Sequence, residues 1–362
     1  MKFTTKKSDL LKAVSVVGRL ATTRASLPIL QNIYLETDGN LLKLRSTDLE
    51  QTLEMDIEGR VEENGAITIP ARLLNDYLQN NTDEQVTLAT DDLTTHITST
   101  NHQARIKGMD AGEYPTLPKT KTETAITLDP IVLTNAITKT LFAAASDDTR
   151  PILTGLLFQF EEKNLTIVGT DGYRLATTQI ELPTPFSGSF ILPKRSLQEV
   201  IRLIEEDEVE LVLTPAQARF TSGPVRLITR VLDGTFPAYE AIIPKTKKLE
   251  IRLRSESLLQ SLKLASLFSR DSAYSTKLEL DGTKLRLSAI SATIGENTNE
   301  ITLEKAVSEN LTISANAQYL IDVLAVLTGD IILSFVDDKS PIVLTVPGEA
   351  NYLYLVMPLR NS

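Results

Sequence analysis

Leu74, Leu197 and Leu320 lie 123 residues apart, and Val86, Val209 and Ile332 repeat that spacing. A period this long, counted three times in 362 residues, means a domain-sized unit copied in tandem rather than a solenoid of short repeats. The first two copies agree most closely. Pro28 pairs with Pro151 inside Leu-Pro-Ile-Leu and Arg-Pro-Ile-Leu, Thr47-Asp48 with Thr170-Asp171, Pro70 with Pro193, and Asp110 with Asp233. The third copy keeps the hydrophobic frame and loses most of the Gly and Pro punctuation.

Each copy has an ordinary domain size, and 42% apolar residues allow a separate core in each. No stretch approaches 18 uninterrupted apolar residues, so no membrane span is expected. Met-Lys-Phe-Thr-Thr-Lys-Lys-Ser-Asp carries no apolar signal region, and the absence of cysteine excludes disulfides and thiolate metal sites. Both are compatible with a cytoplasmic protein. The net charge of −10 argues against a generally basic surface, so any nucleic-acid role requires a local basic face.

The pattern predicts an α+β fold of three tandem similar domains, spanning 1–122, 123–246 and 247–362, each with two helices packed on antiparallel sheets. Every copy opens with a short strand (1–4, 125–128, 249–253) and an amphipathic helix (8–20, 129–144, 256–268). Ser8 is the expected N-cap of the first, with Leu11, Val14, Val17 and Leu20 at helical spacing. Two or three strands follow, with turns such as Asp38-Gly39-Asn40 and Asp281-Gly282. A second helix starts after the repeated proline (71–79, 194–205, 317–327), and alternating strands close the unit. Polar linkers fall at 119–124 and 244–248. No βαβαβ run is present, which disfavours a doubly wound nucleotide-binding sheet.

Catalytic equipment is nearly absent. There is no P-loop, Gly-x-Gly-x-x-Gly, Gly-x-Ser-x-Gly or His-Glu-x-x-His. His96 sits on an alternating strand and His102 at a turn, places where histidine is ordinarily structural. The pairs Asp91-Asp92, Asp147-Asp148 and Asp337-Asp338 fall at expected turns, which aspartate favours through local hydrogen bonds. Asp48 and Asp171 recur between copies, but Ala289 takes roughly that place in the third, which suits a structural turn better than a shared active site. No catalytic residue, metal or cofactor is expected.

The helical segments and their caps carry more Lys and Arg than Asp and Glu, against the acidic balance of the whole chain. Either these charges are scattered over solvated faces, or the helices share one positive side. With 5% aromatic residues and no recognition-helix motif, contacts with nucleic acid would go to phosphates and ignore sequence.

Arg24 ahead of Leu-Pro-Ile-Leu, Thr170-Asp171-Gly172-Tyr173-Arg174-Leu175-Ala176, Phe236-Pro-Ala-Tyr-Glu-Ala-Ile-Ile-Pro244 and Tyr354-Leu-Val-Met-Pro-Leu-Arg360 resemble the bacterial DNA polymerase III β subunit family of sliding clamps over the whole chain. The resemblance implies a homodimeric, head-to-tail ring around double-stranded DNA, with helices lining the hole. It implies a non-enzymatic processivity factor whose partners are the replicative polymerase subunit, a clamp-loader ATPase, and other polymerases and mismatch repair proteins.

By that resemblance Arg24, Arg72, Lys194 and Arg195 match inner-surface basic positions, and the helix reading adds Lys12, Lys139 and Lys263. The peptide pocket maps to Leu153, Thr170, Gly172, Tyr173, Arg174, Leu175, Pro237, Ile242, Val356, Met357, Pro358, Leu359 and Arg360. Its apolar floor with Arg and backbone groups at the edge suits a small hot-spot peptide. Ala241, where a basic residue is expected, and the extra Asn361-Ser362 depart from the pattern. Leu267 and Phe268 match an interface position, with Ile106 as the expected partner. Two other readings are a three-domain peptide-binding adaptor without a DNA role, and a hydrolase built on Asp48, Asp171 or the Asp pairs.

Overall fold

The computed structural model describes residues 1–21, 27–115 and 125–359. Arg24, the linker 119–124, Arg360 and the Asn361-Ser362 extension lie outside the described residues.

The first copy runs β1 (Lys2–Lys6), α1 (Lys7–Val17), β2 (Asn32–Asp38), β3 (Leu41–Thr47), β4 (Gln51–Glu58), β5 (Arg60–Glu63), β6 (Ala66–Pro70), α2 (Ala71–Asn80), β7 (Gln85–Asp91), β8 (Thr94–Thr98) and β9 (Gln103–Lys107). The second runs β10 (Ala125–Leu128), α3 (Pro130–Leu141), β11 (Gly155–Glu161), β12 (Asn164–Thr170), β13 (Arg174–Glu181), β14 (Gly188–Pro193), α4 (Lys194–Leu203), β15 (Val209–Leu213), β16 (Gln217–Ser222) and β17 (Val225–Arg230). The third runs β18 (Leu249–Arg254), α5 (Ser255–Leu267), β19 (Ser275–Asp281), β20 (Lys284–Ser291), β21 (Gly295–Thr302), β22 (Leu311–Asn316), α6 (Ala317–Leu324), β23 (Asp330–Phe335), β24 (Ile342–Val346) and β25 (Glu349–Val356).

Two helices per copy match the expectation, but four or five strands separate them where two or three were expected. The surplus includes strands such as β5 and β21, whose residues are mostly exposed and show no apolar alternation. The Ser8 expectation is corrected. β1 runs straight into α1, the capping position is Lys6, and the Ser8 hydroxyl donates to Asp9 Oδ1 at 3.0 Å. The Lys7 amide is satisfied by the Glu84 carbonyl at 2.8 Å, so a side-chain cap is not needed there. Ser255 repeats the device with the Gly329 carbonyl at 2.8 Å.

Residues 1–130 and 198–231 form one compact unit, and 131–197 with 232–362 the other. All strand pairing recorded among the described residues is antiparallel. The first unit holds a five-stranded sheet, β5-β1-β7-β8-β9, and an eight-stranded sheet, β10-β15-β16-β17-β4-β3-β2-β6. Leu10, Val14 and Val17 of α1 and Leu74 and Leu78 of α2 bury against Phe3, Ile33, Leu35, Leu42 and Leu44. The second unit holds an eight-stranded sheet, β14-β11-β12-β13-β25-β24-β23-β18, and a four-stranded sheet, β21-β20-β19-β22. Leu258 and Leu262 of α5 and Leu320 and Leu324 of α6 pack into its larger core. Leu74, Leu197 and Leu320 are all fully buried, which is why they mark the period so clearly.

Successive copies are joined by strand pairing. β17 pairs with β4, Thr229 opposite Gln51, and β25 pairs with β13, Val356 opposite Arg174. Gln51 and Arg174 stand one period apart, while Thr229 and Val356 are separated by four residues more, the drift of the third copy. The corresponding strands left over are β21 and β9, each at an open edge of its own sheet.

Candidate functional site

Between β12 and β13 the chain turns through Thr170-Asp171-Gly172-Tyr173-Arg174. Thr170 Oγ1 donates to the Arg174 carbonyl at 2.6 Å and accepts from the Gly172 amide at 3.0 Å. Asp171 Oδ1 accepts from the amides of Tyr173 at 2.9 Å and Arg174 at 3.0 Å. Gly172 sits at φ +91°, in the left-handed region, and a Cβ there would meet Arg150 Nη1 at 2.9 Å. These local bonds hold the Tyr173 ring out in solvent, 63% exposed, with its carbonyl free to accept the Met357 amide at 2.8 Å.

Arg174 itself turns inward. Nε donates to Asp171 Oδ2 at 2.9 Å, Nη1 to Asp322 Oδ2 at 2.5 Å and Nη2 to the Phe142 carbonyl at 2.8 Å. The guanidinium lies 4.5 Å from the Tyr319 ring centre. Burial opposes its charge, but the Asp322 hydrogen bond and the negative charges of Asp171 and Asp322 outweigh that and hold its pKa above the ordinary value. Gln318 Nε2 donates to Asp322 Oδ1 at 2.7 Å, and the Tyr354 hydroxyl donates to the Tyr319 carbonyl at 2.7 Å.

The tail leaves β25 at Val356, is held by Met357 to Tyr173, and is strapped again where the Leu359 amide donates to the Ser314 carbonyl at 2.7 Å. Beside it opens a cavity of about 490 Å³ lined by Thr312, Ser314, Asp338, Lys339, Met357 and Leu359, among others. Exposed Tyr173 and Ile242 and partly exposed Met357, Pro358 and Leu359 supply apolar surface in this unit; Pro237 and Ala241 are exposed.

Five of the expected pocket residues are buried. Leu153, Leu175 and Val356 are buried, Leu175 in a core with Leu157, Val168, Ile191 and Leu355, and Val356 in the core of the third copy. Arg174 pairs with Val356 and Leu175 with Leu355, so strand alternation turns Leu175 and Val356 to opposite faces of the sheet, each into its own core. Arg174 and Thr170 are buried as well and act through their hydrogen bonds. Asp322, Gln318, Tyr319 and Phe142 were not anticipated. The polar Gln318 and Asp322, one helical turn apart on otherwise apolar α6, are the only trace they leave in the sequence.

The basic residues divide by what holds them. Arg72, Arg195 and Lys263 are exposed. Among the described residues Arg72 pairs with Asp76 on its own helix, at 3.8 Å, and Lys12 with Glu205, at 3.7 Å, both exposed pairs of little strength. Lys139 is corrected as a free surface cation: it pairs with Glu349 at 2.5 Å and lies over the Tyr352 ring. Lys194 donates to the Ala144 carbonyl at 3.0 Å, and burial, then the nearby Arg174, pushes its pKa down.

Of the expected interface residues, Leu267 is 47% exposed and Phe268 half-buried, at the end of α5. Ile106 is corrected: at 4% exposure it belongs to the core of the first copy, because the alternation of β9 turns it inward.

The acidic turns are turns. Asp48 Oδ1 accepts from the amides of Glu50 and Gln51, Asp147 Oδ1 from Thr149, and Asp337 Oδ1 from Lys339 and Ser340. Among the described residues no three His, Cys, Asp or Glu side chains gather as metal ligands, and no helix is long and apolar enough to cross a membrane.

Three family models match the chain in order: the DNA polymerase III beta subunit N-terminal domain over residues 1–118, its central domain over 127–238 and its C-terminal domain over 240–360. The beta sliding clamp of Synechocystis sp. is 31% identical, with 99% of each chain covered, and that of Bacillus subtilis 30% identical, with both chains covered in full. Among solved structures, the Bacillus subtilis DNA polymerase sliding clamp superposes with a TM-score of 0.95 at 29% identity. A Pseudomonas aeruginosa sliding clamp bound to griselimycin superposes with 0.95 at 27%; both cover the two chains completely.

Proposed function

The chain belongs to the DNA polymerase III beta subunit family, the bacterial sliding clamps, and from that membership we propose that it works as a homodimeric ring that encircles duplex DNA and tethers the replicative polymerase to its template. The observation that carries this reading is the repeated join. β4 with β17 and β13 with β25 are the same pairing one period apart, and β21 and β9 hold the corresponding places with open edges. Setting β21 of one chain against β9 of the next uses the join a third time, head to tail, and two chains then close with neither of these strands left unpaired. Exposed Leu267 and half-buried Phe268 flank that join; β9 contributes its backbone rather than Ile106.

A closed ring is retained by topology and needs only weak, sequence-blind attraction to phosphates. Arg72, Arg195, Lys12 and Lys263 suit that role, with Arg24 as a further candidate. Lys139 and Lys194 serve the fold. The surface of Tyr173, Pro237, Ile242, Met357, Pro358 and Leu359, with Arg360, takes short apolar segments of polymerases and of other replication and repair proteins, and in this reading griselimycin, which the Pseudomonas aeruginosa clamp binds, is taken up by the same surface. In this reading the chain performs no chemistry itself, works in the cytoplasm, depends on a separate loader ATPase, and divides into domains 1–122, 123–246 and 247–362. Primer extension on a singly primed circle tests it. With loader, ATP and the polymerase core, adding the chain should turn short distributive products into long ones at limiting polymerase; unchanged product lengths would contradict the proposal.

A further inference from the structure

The turn at 170–174 has a twin one period earlier. Thr47 Oγ1 donates to the Gln51 carbonyl at 2.8 Å, Asp48 Oδ1 accepts from the amides of Glu50 and Gln51, and Leu49 takes the left-handed φ of +78° where Gly172 stands in the second copy. Even the side-chain bond recurs: Gln51 Nε2 donates to Asp48 Oδ2 at 3.2 Å, as Arg174 Nε does to Asp171 Oδ2 at 2.9 Å. A neutral amide therefore suffices to close this turn.

What Arg174 adds is reach. Beyond Asp171 it extends to Asp322 on α6 and to the Phe142 carbonyl, and it stacks on Tyr319. A charged pair withdrawn from water is costly unless its hydrogen-bonding capacity is met, and here both partners are met: three guanidinium nitrogens are engaged, and Gln318 occupies the second Asp322 oxygen. Since turn closure does not require this arrangement, its consequence is to fix the turn against α6. The carbonyl that seats the tail, that of Tyr173, is the one next to Arg174.

We propose that Asp322 is a positioning residue of the peptide site: through Arg174 it anchors the 170–174 turn to α6, so that the Tyr173 carbonyl stands where the Met357 amide can bind it. The proposal rests on the peptide-site reading above. It assigns Asp322 no contact with the ligand. The Leu359 strap to Ser314 lies wholly within the third copy and does not depend on Asp322, which supplies an internal reference.

The test compares Asp322→Asn, Arg174→Gln, which installs the residue of the first copy, their double variant, and Asp322→Glu. Amide hydrogen exchange is followed at Met357 and Leu359 in the free protein, and griselimycin is titrated in parallel. The Met357 amide should exchange about tenfold faster in both single variants while Leu359 keeps its rate. Griselimycin affinity should fall about tenfold in each, the double variant should be no weaker than the singles, and Asp322→Glu should recover part of the loss. Unchanged Met357 exchange overturns the proposal, as does equal acceleration of both amides, the mark of a generally loosened domain. A wild-type protein that ignores griselimycin contradicts the peptide-site reading instead, and Met357 exchange then decides the anchor alone.

Discussion

The Arg230 amide donates to the Glu50 carbonyl at 3.1 Å, as the Met357 amide donates to the Tyr173 carbonyl at 2.8 Å. Glu50 and Tyr173 are one period apart, so both joins are seated by the same backbone bond. Past that bond the two chains diverge. Val231 goes on to bond Ala216, whereas Met357 leads to Leu359 and a cavity. A single repeated geometry thus gives a plain structural join once and a join beside a cavity once.

Removing 357–362 should abolish binding of apolar client peptides and of griselimycin, because it deletes both the Met357 bond and the apolar side chains of the tail. The dimer, which uses other strands, should persist. Calorimetric titration together with light scattering checks both halves; retained affinity would count against the assigned pocket.

Leu267→Asp should shift the chain toward a monomer near 39.9 kDa by light scattering while leaving its far-ultraviolet circular dichroism unchanged. The side chain is half exposed in the single chain, so the substitution costs the isolated fold little, whereas an unpaired carboxylate in an apolar interface is strongly unfavourable.

The ruler leucines should be expensive to truncate. Leu197→Ala and Leu320→Ala remove fully buried side chains and should each cost about 2–5 kcal/mol, while Leu73→Ala, beside ruler residue Leu74 but exposed, should cost about 0.5 kcal/mol or less. Scanning calorimetry of the variants measures the contrast.

Arg195→Ala and Arg72→Ala should each weaken binding to a short duplex regardless of its sequence and flatten the log–log salt dependence by about 0.9 per lost phosphate contact. Lys139→Ala should leave that slope unchanged, because Glu349 already holds the ammonium. Fluorescence anisotropy over a salt series distinguishes them.

Asp83 accepts from the Ser99 hydroxyl and from the amide and side chain of Asn101, which lower its pKa below the usual 3.8. Its stabilising contribution is therefore present above pH about 4 and disappears as pH falls through the depressed folded value. Asp83→Asn should lower the melting temperature at neutral pH, with the gap to wild type closing in strong acid; a gap independent of pH would refute this.

The parts legible in advance were those written in repeated burial. Leu74, Leu197 and Leu320 revealed the copies because each fills a core, and Asp48 and Asp171 were readable as turns because their bonds are local. Asp322 was not legible as the partner of Arg174, since the two are 148 residues apart and neither copy-to-copy spacing nor helical periodicity links them. Ile106 was misread for a related reason: it was expected to meet Leu267 and Phe268, but only the pleat of β9 decides which of its side chains face outward. Ser8 failed as a cap because a carbonyl distant in sequence, Glu84, already served the helix.

The central claim is that the chain closes into a ring held on DNA by topology. Its most direct test loads the protein with a loader and ATP onto a nicked circular duplex, passes the complex over a gel-filtration column in high salt, and repeats the passage after cutting the circle once. The protein should stay with the circle and leave the linear form by sliding off its ends; equal retention on both, or on neither, would contradict the account.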